Sequence, residues 1–223
     1  MQTPPSSPHV SLDSLFDMVV NGGPMMVPLG LCSIVALAYI VERSVRLGRR
    51  TLGGPRFAAE LRDAAAERGA AGALECCLRS RTAMARVLGA GLRRWDGPFL
   101  EREKAMEDAG ALEVRHLSAN LRPLVVVAMI APLIGLLGTV WGMIEAFSTI
   151  ALRDGLGKPE MLASGISQAL ITTATGLAIA IPSQCAYFYF KARLDRFVRQ
   201  AEDLAHDVCD DLEAAATETE AAA

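Results

Sequence analysis

The chain has 223 residues, 52% of them hydrophobic and 21% charged, with a formal net charge of −3 and a mean hydropathy of +0.29. This is too apolar for an ordinary soluble domain and too polar for a bundle lying wholly in lipid, so a mixed membrane protein is expected. The balanced charge, with no basic patch interleaved with aromatics, argues against nucleic acid, and five cysteines without a CxxC pair argue against a disulfide framework or zinc site.

Residues 1–14 are rich in Pro and Ser and read as loosely ordered, followed by SLDSLFDMVVNGG as a short amphipathic stretch on the outer surface. No Lys or Arg precedes Arg43, so the basic region of a cleaved signal is missing and the first apolar segment is expected to be retained. Three windows carry no Asp, Glu, Lys or Arg: 18–41, 123–144 and 161–190. At ~1.5 Å per residue, each can cross a ~30 Å hydrocarbon core as a helix. Of the 22 Lys and Arg, 16 lie from Arg43 to Arg122, two are Arg153 and Lys158, and four lie from Lys191 to Arg199. The positive-inside rule then gives an odd number of spans with the N-terminus outside. The expected organisation is an outer segment at 1–23, spans at 24–41, 123–147 and 163–190, and an outer loop at 148–162. Cytoplasmic regions follow at 42–122 and 191–223.

Within the cytoplasmic region, Gly53-Gly54-Pro55 breaks the chain, Met84, Val87, Leu88, Leu92 and Trp95 repeat at helical spacing, and Asp96-Gly97-Pro98 signals a turn. From Phe99 to Phe147 one long helix is expected, ~70 Å at full length, with only Pro123 and Pro132 as breaker candidates. Beyond span three, Leu194, Phe197, Val198, Ala201, Leu204, Ala205, Val208 and Leu212 form an apolar stripe that calls for a partner helix. The tail AAATETEAAA reads as frayed or disordered. His9, His116 and His206 are scattered, and no nucleophile–base set or Gly-rich phosphate loop is present. No enzyme, cofactor or metal site is therefore expected.

Two small-residue stripes stand out: Gly135, Gly138, Thr139, Gly142 and Ala146 in span two, and Gly165, Ala169, Thr172, Thr173, Gly176 and Ala180 in span three. Small residues let helix backbones approach closely where lipid supplies no hydrophobic drive. One reading is packing alone, with threonine hydroxyls bonded to their own backbone carbonyls. The other adds that Thr139 and Thr173 face an aqueous or proton-conducting interior, with Thr172 and Gln168 beside them. Hydroxyls relay hydrogen bonds without ionising at ordinary pH, so such a path needs a carboxylate from elsewhere. Glu145, toward the outer end of the expected span 123–147, is the carboxylate candidate within a span and fits an exposed interfacial position better than a relay. Pro182 is expected to kink span three. These stripes, with the one at Leu194–Leu212, all ask for partners and point to an oligomer.

APLIGLLGTVWGMIEAF, a short loop and GISQALITTATGLAIAIP together resemble the membrane core of the MotA/TolQ/ExbB proton-channel family, and most of all its ExbB and TolQ branch. The resemblance is strong over about 115–200 and weak over about 20–50. It implies an all-α bacterial inner-membrane protein forming a pentamer of three-span subunits, with spans two and three lining a pore. A dimer of single-span ExbD/TolR-like partners would occupy the pore and supply an aspartate, driving a TonB/TolA-like protein that crosses the periplasm. Matching positions make Thr139 and Thr173 the pore-facing threonines and Pro182 the span-three proline. Many ExbB-like chains have glutamate where this one has Gln168. The four-span MotA pattern fits a three-span chain less well. TolQ-like envelope maintenance and a non-conducting membrane scaffold stand as alternatives, and Na⁺ in place of H⁺ is left open.

Overall fold

The structure, a computed structural model, describes residues 22–152 and 159–221. The expected outer amphipathic stretch and the pair Arg153 and Lys158 lie outside the described residues. Among those described, all regular structure is helical: α1 Met26–Arg46, α2 Arg49–Leu52, α3 Pro55–Arg79, α4 Ala83–Leu92, α5 Phe99–Ala119, α6 Arg122–Leu152 and α7 Pro159–Ala221. Three stretches are long and apolar enough to cross a membrane: Met26–Arg46, Phe99–Ser148 and Ala163–Ala215. Helical residues also reach into both ends of the loop expected at 148–162, with Pro159 opening α7 where its missing N–H costs nothing.

The chain divides into two units, one of residues 1–38 and 123–186, the other of 39–122 and 187–223. In the first, α1 packs on α6 and α7 through Met26, Leu29 and Ala36 against Val127, Ala131 and Ala180. Its outer faces are apolar: Leu31, Ile34, Leu133, Leu136, Leu170 and Ile181 are all well exposed. Both α6 and α7 run on through their internal prolines, Pro132 and Pro182. Such prolines are tolerated in spanning helices, where neighbouring groups re-satisfy the freed carbonyls. At Pro182, which frees the Ala178 carbonyl, the chain stays helical, and the next residue, Ser183, donates from Oγ to its own i−4 carbonyl at Ile179, 2.7 Å away.

The second unit has a core of large side chains. Phe57 and Leu61 of α3, Met84, Leu88 and Leu92 of α4, and Leu194, Phe197, Leu204, Val208 and Leu212 of α7 form one buried cluster. The apolar stripe of α7 therefore finds its partner helices within the chain, and it does not by itself call for a second copy. The low-complexity tail is a correction: α7 continues through it to Ala221. Alanine and glutamate are strong helix formers, and the tail extends an existing helix rather than nucleating its own.

Local signals explain the short elements. Pro55 starts α3 after Gly53, whose φ of +103° an L side chain rarely adopts. Gly69, at φ +63°, interrupts the helical backbone inside α3, a break the composition did not announce. Thr82 caps α4 by accepting the Ala85 N–H at 3.2 Å. That helix is buried nearly all round, as a core helix should be. By contrast α5 has no fully buried residue. It is tied down by the Arg86–Glu113 ion pair and by Arg102, which bonds Glu213 at 2.7 Å and stacks 4.3 Å over Trp95.

The single helix expected over 99–147 is also corrected. The chain turns at Asn120–Leu121, between α5 and α6. Pro123 has no N–H for the Ala119 carbonyl, so the helical ladder breaks ahead of it, and Pro123 sits in the first turn of α6, where the missing N–H costs nothing. One carbonyl in the last turn of α5 is then satisfied from α1. Arg43, only 1% exposed, donates from Nη1 to the Leu117 carbonyl at 3.1 Å.

Candidate functional site

The two small-residue stripes meet each other. A methyl group built on Gly176 would lie 2.6 Å from the Ala131 carbonyl oxygen, and one on Gly135 would lie 3.1 Å from the Thr172 carbonyl oxygen and Thr173 Cα. One on Gly138 would reach Thr172 Oγ1 at 2.6 Å, and one on Gly142 the Gly165 carbonyl oxygen at 3.2 Å. Ala146 closes the far end against Gly165. As residue numbers rise on α6 they fall on α7, so the seam is antiparallel. No side chain larger than methyl or threonine fits along it, which is why the sequence puts glycine, alanine or threonine there at three- and four-residue spacings.

The threonines divide along this seam. Thr172 is 1% exposed, with its hydroxyl donating to the Ala169 carbonyl at 2.8 Å, and it is enclosed by Gly138. Thr175 donates to the Ile171 carbonyl at 2.8 Å. Thr139, nearer the surface, donates to the Leu136 carbonyl at 2.6 Å. Each of these bonds a carbonyl of its own helix, as the packing reading expects. Thr173 alone of the four crosses the seam: its hydroxyl donates to the Gly135 carbonyl at 3.0 Å. A donating hydroxyl keeps its lone pairs, so Thr139 and Thr173, both only partly covered, can still accept a hydrogen bond.

Gln168 goes elsewhere. Its side-chain amide lies against Gly23, just ahead of α1, so close that a Cβ at Gly23 would overlap it. At 100° per residue, Gln168 and Thr173 point about 140° apart around α7. The structure thus brings Gly135, Gly138, Thr172, Thr173 and Gly176 together and takes Gln168 to the flank that meets the α1 lead-in. Glu145 is exposed on α6. Among the described residues, no three His, Cys, Asp or Glu side chains gather as a metal site. Sequence reasoning named both stripes but not their pairing. The signal was there in the matching four-residue periods of two consecutive spans joined by a short loop.

Comparison with known proteins agrees with this core. The model of the MotA/TolQ/ExbB proton channel family matches residues 79–203, more than half of the chain, from the end of α3 through the seam into the second half of α7. The biopolymer transport protein exbB1 of Vibrio cholerae is 40% identical over 100 residues, covering 43% of this chain and 44% of that protein. A putative ExbB-like biopolymer transport protein of Synechocystis is 36% identical over 171 residues, covering 75% and 66%. The Tol-Pal system protein TolQ of Pseudomonas aeruginosa is 39% identical over 95 residues, covering 43% and 41%. The chain thus spans between about two fifths and just under two thirds of the length of these relatives. With the family match extending across the α6–α7 seam, the chain belongs to the MotA/TolQ/ExbB proton channel family.

Proposed function

We propose that this protein is the channel and stator-like subunit of an inner-membrane transducer of proton-motive force. The observation that carries the reading is the glycine–threonine seam between α6 and α7, inside the stretch that the family model matches. Five copies would place their α6 and α7 helices around a pore. The single-span ExbD/TolR-like dimer within it would supply the titratable aspartate that the spans of this chain lack. Thr139 and Thr173 would present their hydroxyls to that aspartate, while Thr172, Gly135, Gly138, Gly142, Gly176 and Pro182 hold the wall in shape. Gln168, lying on Gly23, would act at the outer end of the subunit rather than in the path itself.

In this reading α1, α6 and α7 cross the membrane at 24–41, 123–147 and 163–190, with the N-terminus in the periplasm and 42–122 and 191–223 in the cytoplasm. The outward coupling would run to a TonB-like protein and energise outer-membrane transport. A TolQ-like role in envelope maintenance is the second reading, favoured by the 39% identity to a TolQ. The small-residue stripes no longer argue for an oligomer, because they are covered within the chain. The broad apolar exposure of α1, α6 and α7 supports one instead. Native mass spectrometry after gentle extraction, with co-expression of the adjacent single-span protein, should give five copies of this chain with two of the partner. A monomer with nothing bound would remove the channel reading.

A further inference from the structure

The unit of residues 39–122 and 187–223 contains a cavity of about 570 Å³. One wall is α7, from Tyr189 through Arg193 and Arg196 to Asp203, and the opposite wall is Arg62 with the lead-in to α3 at Gly54. Three guanidinium groups thus face a single lining carboxylate. Arg62 is already paired with Asp207. Arg196 uses only Nε on its own helix, at 3.2 Å from the Ala192 carbonyl, and Arg193 has no bonded partner among the described residues. The N-cap of α3 offers no side chain to its first amides, which adds partial positive charge at the same rim.

We propose that this cavity binds a phosphate-bearing anion, and that the source of the phosphate is the headgroup of an anionic phospholipid. The planar donor forks of Arg193 and Arg196, one turn apart, suit phosphate oxygens. Depth selects the source. The charge-free run of α7 ends at Phe190. Arg193 lies about 6 Å and Arg196 about 10 Å beyond Tyr189 along the helix. The polar headgroup layer is about 5–7 Å deep on each side of the hydrocarbon. Arg193 therefore stands at phosphate level, with the Arg196 backbone about 3 Å beyond the layer and within reach of it through its long side chain, and the Tyr189 ring at the boundary that such rings favour. The proposal rests on span three crossing the bilayer and not on proton conduction.

The test is native mass spectrometry of the intact protein titrated with phosphatidylglycerol or phosphatidylcholine, with and without inorganic phosphate. Phosphatidylglycerol should bind preferentially and resist displacement by phosphate at equal concentration. The Arg193→Gln, Arg196→Gln variant should lose about tenfold in phosphatidylglycerol affinity. Arg199→Gln, three residues further on and outside the cavity, should lose little. Asp203→Asn removes the lining carboxylate and should tighten binding, which keeps the test decisive if the double variant folds poorly. Displacement by phosphate alone would overturn the lipid assignment. Equal binding of both lipids, unchanged in the double variant and in Asp203→Asn, would overturn the site.

Discussion

Helices are brought together in two opposite ways in the two units of this protein. In the unit of 39–122 and 187–223, Leu61, Phe197, Leu204 and Val208 are buried and most charged groups face out, Arg43 excepted, so the helices are held by removing large apolar surface from water. In the unit of 1–38 and 123–186 many large apolar side chains, Leu133, Leu136, Leu170 and Ile181 among them, are outside, and the α6–α7 contact is made of Gly135, Gly138, Gly142, Gly165 and Gly176. Lipid gives no reward for burying leucine, so this contact depends on close backbone approach. One chain thus follows two packing rules, and the same substitution should have very unequal consequences on the two sides.

The largest effect should come from filling the seam. Gly176→Leu places a side chain where even a methyl group would lie 2.6 Å from the Ala131 backbone. It should abolish the folded membrane-embedded protein, read as loss of a monodisperse species on size exclusion in mild detergent. Next comes the core of the unit of 39–122 and 187–223. Leu61, fully buried, should cost about 2–5 kcal/mol when changed to alanine. Leu177→Ala, at a position 45% exposed on the apolar exterior, should change stability by less than about 0.5 kcal/mol. Thermal unfolding midpoints in one detergent compare the two. A similar loss at both positions would break the contrast.

A smaller effect follows from Cys77. Burial pushes its thiol up to about 12 from an ordinary value of 9.0. Above pH 9 the unfolded chain releases this proton while the folded chain keeps it, so this group's contribution to stability declines as pH rises from about 9 toward 12. Below that window it is constant. The slope of the unfolding midpoint between pH 8 and pH 10 (about the range that alkaline detergent solutions allow) should be shallower in Cys77→Ala.

Much of this was legible in the sequence because its signals are local. Charge-free runs marked the three helices that are long and apolar enough to cross a membrane, and the Gly-Gly-Pro and Asp-Gly-Pro breaks fall where α3 and α5 begin. What was missed depends on contacts distant in sequence. The stripe at Leu194–Leu212 looked unpartnered because its partners, Phe57 and Leu61, lie more than a hundred residues earlier. The two small stripes were read singly, although they fill each other. Pro123 was weighed as a breaker, but the turn sits just before it, at Asn120–Leu121, where Arg43 meets the end of α5. Gln168 was set beside Thr172 and Thr173: at 100° per residue it lies within about 40° of Thr172 but points about 140° from Thr173, and its amide rests on Gly23, a contact no local pattern announces. Gly69 breaks α3 without a neighbouring proline or turn dipeptide to mark it.

The central claim is that Thr139 and Thr173 offer hydroxyls to a proton path as well as shape to a packed seam. Both bond carbonyls that already belong to a helix, so replacing them with valine deletes a donor without stranding an acceptor. The decisive measurement is partner-dependent proton flux in liposomes containing this protein and its single-span partner, wild type against the Thr139→Val, Thr173→Val double variant. The account predicts an unchanged oligomer, an unfolding midpoint close to wild type and a flux reduced about tenfold or more, the scale on which lost proton-relay groups act. Wild-type flux from a normally assembled double variant would contradict it and leave both threonines as packing residues alone.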